Sequence, residues 1–344
     1  MRFDFSSSLS QRFSSRSKSS FLKRAVAWLG HGLDKQTLTV QDTAMAGRKR
    51  DGTDTAAHRF GGDWTETKLE ILSRYLEGYT TALKNQRFKT AYIDAFAGTG
   101  YRSLPAGENE HLLLFPDLAE PAPQALLDGS ARVALKTEPQ FHSYIFIERS
   151  RDRSQALAQL KDEFPERDIQ IKVADANRAI QDLCRKNWSS RRAVLFLDPY
   201  GMQVEWATLE AVAATKAIDL WLLFPLGIGV NRLLTRSGDI PASWRQRLDI
   251  LLGTDDWYEN LYTIEKSPSL FEDETTHLIK ASTESIGRYF ISRLTSIFSG
   301  VAPEPRILLN SARCPLYLFC FAVGNPKGAE IALRIANHLL KEIP

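Results

Sequence analysis

The chain has 344 residues, of which 43% are hydrophobic and 25% charged, and these proportions are ordinary for a globular protein. Its longest apolar run, residues 217–230, contains Asp219 and Pro225 and is shorter than the roughly 20 residues of a membrane-spanning helix. The three cysteines form no Cys-x-x-Cys pair and have no histidine at metal-ligand spacing, so we expect reduced cytoplasmic thiols, no disulfide and no metal site.

The net charge of +3 is unevenly distributed along the chain. Residues 1–60 contain 11 Lys and Arg against 5 Asp and Glu, a net charge of +6, whereas the remainder contains 33 against 36, a net charge of −3. Residues 1–20 have no hydrophobic period, whereas 21–29 can form one short amphipathic helix. The first 60 residues as a whole predict a disordered basic extension, although their Arg and Ser bias also resembles a transit peptide. The remaining body, 61–344, has no overall excess of the cations that duplex nucleic acid attracts.

Strand and helix patterns alternate along this body. The patterns predict helices at 66–84, 130–136, 151–164, 177–186, 206–215 and 327–341, and strands at 91–96, 144–148, 169–173, 193–197, 219–224, 306–309 and 316–323. The last two strands form a predicted hairpin, residues 101–128 a proline-rich insertion, and about 226–300 a mainly helical subdomain. Such alternation predicts an α/β fold with a mostly parallel sheet that helices cover on both faces.

Four predicted parallel strands end in a carboxylate or are followed by one. These residues are Asp94, Glu148, Asp175 and Asp198. Ligands of open α/β sheets bind outside the carboxyl ends of the strands, so the sequence predicts one acidic cleft there. Each acid taken alone is as often a helix N-cap, and that alternative stays open.

The first of these acids opens the motif Asp94-x-Phe96-x-Gly98-x-Gly100. Its two glycines have no Cβ and let the backbone approach a ligand closely. Ser103 occupies the place of the third glycine of a dinucleotide fingerprint, and no Gly-Lys-Ser/Thr follows. The motif therefore fits neither an NAD site nor a phosphate-binding P-loop.

With this ordered series of motifs, residues 66–225 resemble a class I S-adenosylmethionine-dependent methyltransferase. The resemblance implies a Rossmann-like sheet, with the strands near 306–323 as its closing antiparallel pair. It also implies S-adenosylmethionine as cofactor, held at the methionine part by Asp94, Gly98 and Gly100, at the ribose by Glu148 and at the adenine by Asp175. Phe96 and Ala176 lie within these motifs and complete the expected cofactor-binding set.

Asp198-Pro199-Tyr200 resembles the Asp-Pro-Pro-Tyr/Phe motif of amino-directed DNA methyltransferases. In that motif the acid and a backbone carbonyl hold the amino group while the aromatic ring stacks on the flipped base. The resemblance implies that Asp198, Pro199 and Tyr200 are catalytic. Only one proline is present, so Gly201 stands in the place of the aromatic residue, and a strand-terminating turn is the alternative interpretation.

Longer segments resemble the three-Cys-motif partner proteins, bacterial proteins named after accompanying genes that encode proteins with three clustered cysteines. The segments are 92–100, 144–148, 174–177, 196–202 and 217–236. This resemblance covers roughly 60–344 and implies a three-Cys-motif protein, encoded nearby, as partner. Two functions stay open: methyl transfer from S-adenosylmethionine to an amino group, with nucleic acid as a candidate acceptor, and a non-catalytic scaffold for the partner.

Polar residues also follow the fifth strand, at the same predicted edge as Asp198. Asn231, Arg232 and Arg236 lie beyond the run Phe224-Pro225-Leu226-Gly227-Ile228-Gly229. They can contact a polar or anionic substrate, or Asn231 can cap a helix while the arginines are solvated. The sequence leaves both interpretations open.

Overall fold

A computed structural model of the protein describes residues 63–97, 129–267 and 275–343. The basic extension, the proline-rich insertion and the glycines Gly98 and Gly100 lie outside the described residues. The predicted domain boundaries stay predictions.

The order of elements follows the predicted alternation of strands and helices. The first part comprises α1 (Asp63–Leu83), β1 (Lys89–Asp94), α2 (Ser130–Lys136), β2 (Ser143–Glu148), α3 (Arg151–Glu163), β3 (Ile169–Val173), α4 (Ala176–Cys184), β4 (Arg191–Leu197), α5 (Trp206–Ala214) and β5 (Ile218–Phe224). A π-helical turn (Leu226–Val230) and the single turn α6 (Asn231–Leu233) come next. The second part comprises α7 (Ala242–Leu252), α8 (Trp257–Leu261), β6 (Tyr262–Ser267), β7 (Thr275–Lys280), α9 (Thr283–Ile297), β8 (Gly300–Val301), β9 (Arg306–Leu309), β10 (Pro315–Val323) and α10 (Ala329–Glu342).

One large sheet organises the fold. Its strands lie in the order β3-β2-β1-β4-β5-β10-β8, and β9 pairs with β10 beside this path. The five strands β1 to β5 are parallel, whereas β10 runs antiparallel to β5, β8 and β9. This mixed sheet, with its antiparallel hairpin β9–β10 near the C-terminus, confirms the predicted Rossmann-like fold of the class I methyltransferase type.

Helices bury both faces of the sheet because successive strand residues point to opposite sides. On β4, Val194 and Phe196 belong to one core cluster and Leu195 and Leu197 to the other. The first cluster is completed by α1, α2, α3 and α10, and the second by α4, α5, α7 and α9. None of the helices within the described ranges is long and apolar enough to cross a membrane.

Within 226–300, the described residues form four helices, the π-helical turn and an antiparallel hairpin that the helical pattern did not predict. Strands β6 and β7 pair from Tyr262 with Lys280 to Ser267 with Thr275. Their sequences contain many β-branched residues, which favour strands, but each strand is only 6 residues long. A signal this short is easily outweighed by the helical patterns on either side.

Candidate functional site

The carboxyl ends of the parallel strands meet at one edge of the sheet. Asp94 is in register with Phe146 of β2 on one side and with Phe196 of β4 on the other. Glu148 comes two residues after Phe146, and Asp198 comes two residues after Phe196. Both acids therefore lie just beyond Asp94 at the same edge of the sheet. We call Asp94, Glu148, Asp175 and Asp198 together the acidic edge.

The acidic edge includes the point where the strand order reverses. From β1 the chain continues to β2 and β3 on one side, and then returns to β4 on the other side of β1. Open α/β sheets bind ligands at such a switch point, outside the carboxyl ends of the strands. Asp94 and Asp198 flank this position.

Asp94 is completely buried and held by groups of the protein itself. Its Oδ2 accepts hydrogen bonds from the Ser130 hydroxyl at 2.5 Å and the Tyr92 hydroxyl at 3.3 Å, while Oδ1 accepts from the Phe96 amide at 3.3 Å. Burial raises the pKa of Asp94 to about 7 against the lowering effect of these hydrogen bonds, and the nearby Asp198 charge also raises it. Its carboxyl group therefore changes charge near neutral pH.

Glu148 is oriented through one of its two oxygens. Its side chain is 4% exposed, and its Oε1 accepts from the Ser150 amide at 2.6 Å and from Nη2 of Arg153 at 2.9 Å. No described residue hydrogen-bonds its Oε2. Glu148 is thus held in place through Oε1, which leaves Oε2 for a ligand, and the ribose contact stays a prediction.

Asp175 lies at the far end of the acidic edge and caps helix α4. Its Oδ1 accepts a hydrogen bond from the Arg178 amide at 3.0 Å. The capping role that the sequence left open is therefore present, and the exposed Oδ2 has no partner among the described residues. Ala176 is buried in the core and begins helix α4.

Asn177 has a structural role that the sequence pattern did not indicate. Its buried side chain donates to the Gln203 carbonyl at 2.8 Å and accepts from the Glu205 amide at 3.1 Å and the Thr208 hydroxyl at 2.9 Å. These bonds connect the start of α4 to the chain that follows Asp198. In the sequence, Asn177 is an amide residue two positions after the capping acid Asp175. This pattern is too common to identify the role.

Asp198 pairs with a lysine from the first helix. The Lys68 ammonium group contacts Oδ2 of Asp198, and the two side chains are 8% and 20% exposed. The Lys68 Nζ atom also lies 4.7 Å from the centroid of the Trp64 ring. Lys68 precedes Ile71 by three residues and Leu72 by four, so it lies on the apolar face of α1. A lysine on that face was the sequence signal that could have indicated a buried partner for Lys68.

The turn after Asp198 brings its next residues into different environments. Pro199 is buried and Tyr200 is half-buried. Gly201 has a φ of +64°, and no heavy atom lies within 4 Å of the position that a Cβ would take. Gly201, which stands where the motif has its aromatic residue, therefore adopts a left-handed backbone conformation. Among the described residues, the space beside it is open.

The loop after β5 packs against this turn. A Cβ on Gly229 would lie 3.0 Å from Cγ of Met202, and one on Gly227 would lie 1.8 Å from the Pro315 carbonyl oxygen. Asn231 does not cap a helix with its side chain, contrary to one of the two interpretations. Its carbonyl instead accepts a hydrogen bond from the ammonium group of Lys280 on β7.

The structure brings Asp94, Glu148 and Asp198 together at one edge, adds Lys68 to them and places Asp175 at the end. Among the residues described, no group of three or more His, Cys, Asp or Glu could hold a metal ion, and the three cysteines are free. The arrangement can orient polar ligands with fixed carboxylates.

No protein-family model matches the chain, and no curated protein sequence matches it. Among solved structures, protein LPL1258 from Legionella pneumophila str. Philadelphia 1, described under the family model DUF519, has a TM-score of 0.42 and 11% identity over 82% of this chain and 93% of that one. The N-terminal domain of EvdMO1 with SAH bound has a TM-score of 0.33 and 11% identity over 92% and 99%. An rRNA methylase from Streptococcus thermophilus has a TM-score of 0.25 and 12% identity over 63% and 96%.

Proposed function

We propose that this protein binds S-adenosylmethionine at the acidic edge and transfers its methyl group to an amino group. The observation that carries the proposal is the placement of Asp94 and Asp198 on both sides of the switch point, with Glu148 buried at the end of the neighbouring strand. Cofactors of open α/β sheets bind at this position.

The oxygens left open at the acidic edge fit the polar groups of this cofactor. Oε2 of Glu148 would accept from the ribose hydroxyls, and Oδ2 of Asp175 from the adenine amino group. Asp94 would lie beside the methionine part, together with Gly98 and Gly100 of the same motif. When bound, S-adenosylmethionine supplies a methyl group on a positively charged sulfur.

The Lys68–Asp198 pair supports an acceptor site next to the cofactor. Because Lys68 occupies Oδ2 of Asp198, Oδ1 remains to accept an N–H of the acceptor amino group. The lysine charge also stabilises a carboxylate that lies close to a second acid, Asp94. The Pro199 carbonyl and the Tyr200 ring would complete this site, where alignment of the two reactants supplies most of the catalysis.

Calorimetry with S-adenosylmethionine and S-adenosylhomocysteine tests cofactor binding directly. We expect both to bind, and Glu148→Gln to weaken both by about tenfold or more, since a hydrogen bond to a charged group contributes roughly 1.5–3 kcal/mol. Glu138→Gln is the matched control, because Glu138 also pairs with an arginine, Arg167. Glu138 precedes β2, at the opposite edge of the sheet. Absence of binding of both ligands at millimolar concentration would falsify the proposal.

A non-catalytic scaffold that binds a three-Cys-motif protein is the second candidate. Two observations favour it: Gly201 occupies the place of the stacking aromatic residue, and Lys68 already occupies one oxygen of Asp198. Co-expression with the three-Cys-motif protein tests it, and purification of this chain without that protein counts against it. Loss of ligand binding in Gly98→Val or Asp198→Ala with the complex intact favours the enzyme.

A further inference from the structure

Two cations that form no ion pair with a described residue lie near the loop after β5. Arg236 is exposed, and Lys280 is half-buried at the end of β7. The carbonyl of Thr235, the residue before Arg236, accepts a hydrogen bond from the Tyr262 hydroxyl at 2.7 Å, and Tyr262 pairs with Lys280 across the hairpin. Partial burial lowers the pKa of Lys280, and the nearby positive charge of Arg236 lowers it further. Neither cation forms an ion pair with any residue that the structure describes.

This cation pair belongs to the side of the acidic edge where Asp198 lies. The Lys280 ammonium group donates to the Asn231 carbonyl, which connects the hairpin β6–β7 to the loop. Two residues before Asn231, Gly229 packs against Met202 in the turn that follows Asp198. Strand β5 is separated from β2 and β3 by β1 and β4, so the pair lies away from the expected ribose and adenine sites.

Two acids in the described part of these elements, Glu265 and Asp239, form no ion pair with Arg236 or Lys280. Glu265 is cross-strand from His277, and the alternation of strand residues places both on the opposite face of the hairpin from Lys280. Asp239 is exposed, and the hydrogen bonds that it forms with described residues are made by its backbone: the carbonyl accepts from the Thr235 hydroxyl and the amide donates to the Ser237 hydroxyl. Two like charges held close together, with no ion pair to a described acid, favour an anionic ligand.

The backbone next to the pair is also unusual. Strand β5 lies next to β4, the strand that Asp198 follows. Between β5 and Asn231 the chain forms a π-helical turn, Leu226–Val230. Such turns are rare and occur frequently at functional sites. The turn brings the Asn231 carbonyl, and with it Lys280, to the carboxyl end of β5.

We infer that Arg236 and Lys280 bind the phosphate backbone of a single-stranded nucleic acid whose amino-bearing base is directed to Asp198; the direction of the base rests on the proposed function. A single strand fits better than a duplex for two reasons. Residues 61–344 have a net charge of −3 and no overall cationic excess for a duplex. A base can also reach the partly buried Asp198 only when it is out of the stack.

Fluorescence anisotropy of the full chain tests the inference with short labelled strands of DNA and RNA, and with a duplex of the same sequence, over a series of salt concentrations. We expect Arg236→Gln and Lys280→Gln each to weaken single-strand binding severalfold. Each substitution should also reduce the slope of log affinity against log salt by about 0.7. Arg185→Gln is the matched control, because Arg185 is an exposed arginine paired with Asp182 at the end of α4.

Arg236→Gln is the decisive variant, since Arg236 is exposed and its replacement leaves the Lys280–Asn231 hydrogen bond in place. Lys280→Arg keeps the charge and should retain the wild-type salt slope. The inference is overturned if the wild type binds no single strand, or if Arg236→Gln behaves like Arg185→Gln. Binding of polyglutamate or of the duplex in place of the single strands also overturns it.

Calorimetry with S-adenosylhomocysteine separates this inference from the proposed function. Both variants should bind the cofactor product as the wild type does. Salt-dependent single-strand binding through Arg236 without cofactor binding contradicts the proposed function alone. Cofactor binding without single-strand binding contradicts this inference alone.

Discussion

At the scale of single residues, two buried carboxyl groups have an unusual state of charge. Asp94 accepts a hydrogen bond from the Ser130 hydroxyl. Asp219 accepts hydrogen bonds from the Tyr75 hydroxyl at 2.9 Å and from the Gly324 amide at 3.3 Å. Burial raises the pKa of each to about 7, although these hydrogen bonds act in the opposite direction. Asp94 lies at the acidic edge, whereas Asp219 lies under α1 and is part of the core.

The raised pKa of Asp94 predicts a stability that falls as pH rises. An unfolded aspartate has a pKa of about 3.9, so between about pH 4 and pH 7 the folded protein binds more protons than the unfolded chain. The stability is therefore fully present below about pH 4 and is lost as pH rises through about 7. The loss is roughly 4 kcal/mol at most, because one pKa unit corresponds to about 1.4 kcal/mol.

Urea unfolding of the wild type and Asp94→Asn over this pH range measures the effect. The free energy of unfolding of the wild type should decline relative to that of the variant as pH rises. Asp219→Asn should show the same relative trend. A constant difference between wild type and both variants contradicts the prediction.

Two glycines predict different costs for the same substitution. A Cβ on Gly227 would lie 1.8 Å from the Pro315 carbonyl oxygen, whereas a Cβ on Gly201 would meet no heavy atom within 4 Å. Gly201→Ala should cost only the left-handed conformation, roughly 1–2 kcal/mol. Gly227→Ala should cost more, because the π-helical turn or β10 must move, and equal unfolding free energies for the two variants would contradict this.

At the scale of elements, α1 connects the core to the acidic edge. One face of the helix buries Ile71, Leu72 and Tyr75 against the sheet, and the same face delivers Lys68 to Asp198. The packing of α1 therefore determines where the lysine charge lies. Asn177 has a similar role, since it connects α4 to the chain after β4.

A double-mutant cycle tests the contact between α1 and β4. Lys68→Met should destabilise the protein by about 1–3 kcal/mol, because it leaves the Asp198 carboxylate partly buried without its partner. The added Asp198→Asn substitution should recover much of this free energy, since no unpaired charge then remains. The double variant should still not regain methyl transfer, which needs the carboxylate.

The coupling free energy from urea unfolding of the two single variants and the double variant measures this contact. Arg334→Met with Glu330→Gln is the control cycle, because that pair is largely exposed and should show a coupling near zero. Additive effects of Lys68→Met and Asp198→Asn contradict the prediction.

At the scale of the whole molecule, the acidic edge exists only in the folded protein. Its four acids come from the ends of four strands that are separated by helices, and the sheet brings them to one edge. A ligand that binds there binds the folded state alone. Its binding free energy must therefore stabilise the complete sheet.

This coupling predicts a rise in melting temperature with S-adenosylhomocysteine. At a ligand concentration of a hundred times Kd, the stabilisation should be about 2.7 kcal/mol. Glu148→Gln should need more ligand for the same rise, whereas Glu138→Gln should follow the wild type. Thermal unfolding followed by circular dichroism measures the rise, and a melting temperature independent of the ligand contradicts the prediction.

Local sequence patterns were enough to predict the order of strands and helices, the hairpin β9–β10 and the acids of the acidic edge. These features are local, because an apolar run, the acid at its end and the following turn lie within about ten residues of one another. The same locality explains why the short hairpin β6–β7 was missed, since its own signal was weaker than that of the neighbouring helices.

The groups that these acids contact depend on the complete fold. Lys68 and Asp198 lie 130 positions apart, and Lys280 lies 49 positions after Asn231. Such contacts depend on strand order and on the face of the sheet that a helix covers, which a local pattern does not contain. The pKa of Asp94 depends in the same way on the burial that the complete fold provides.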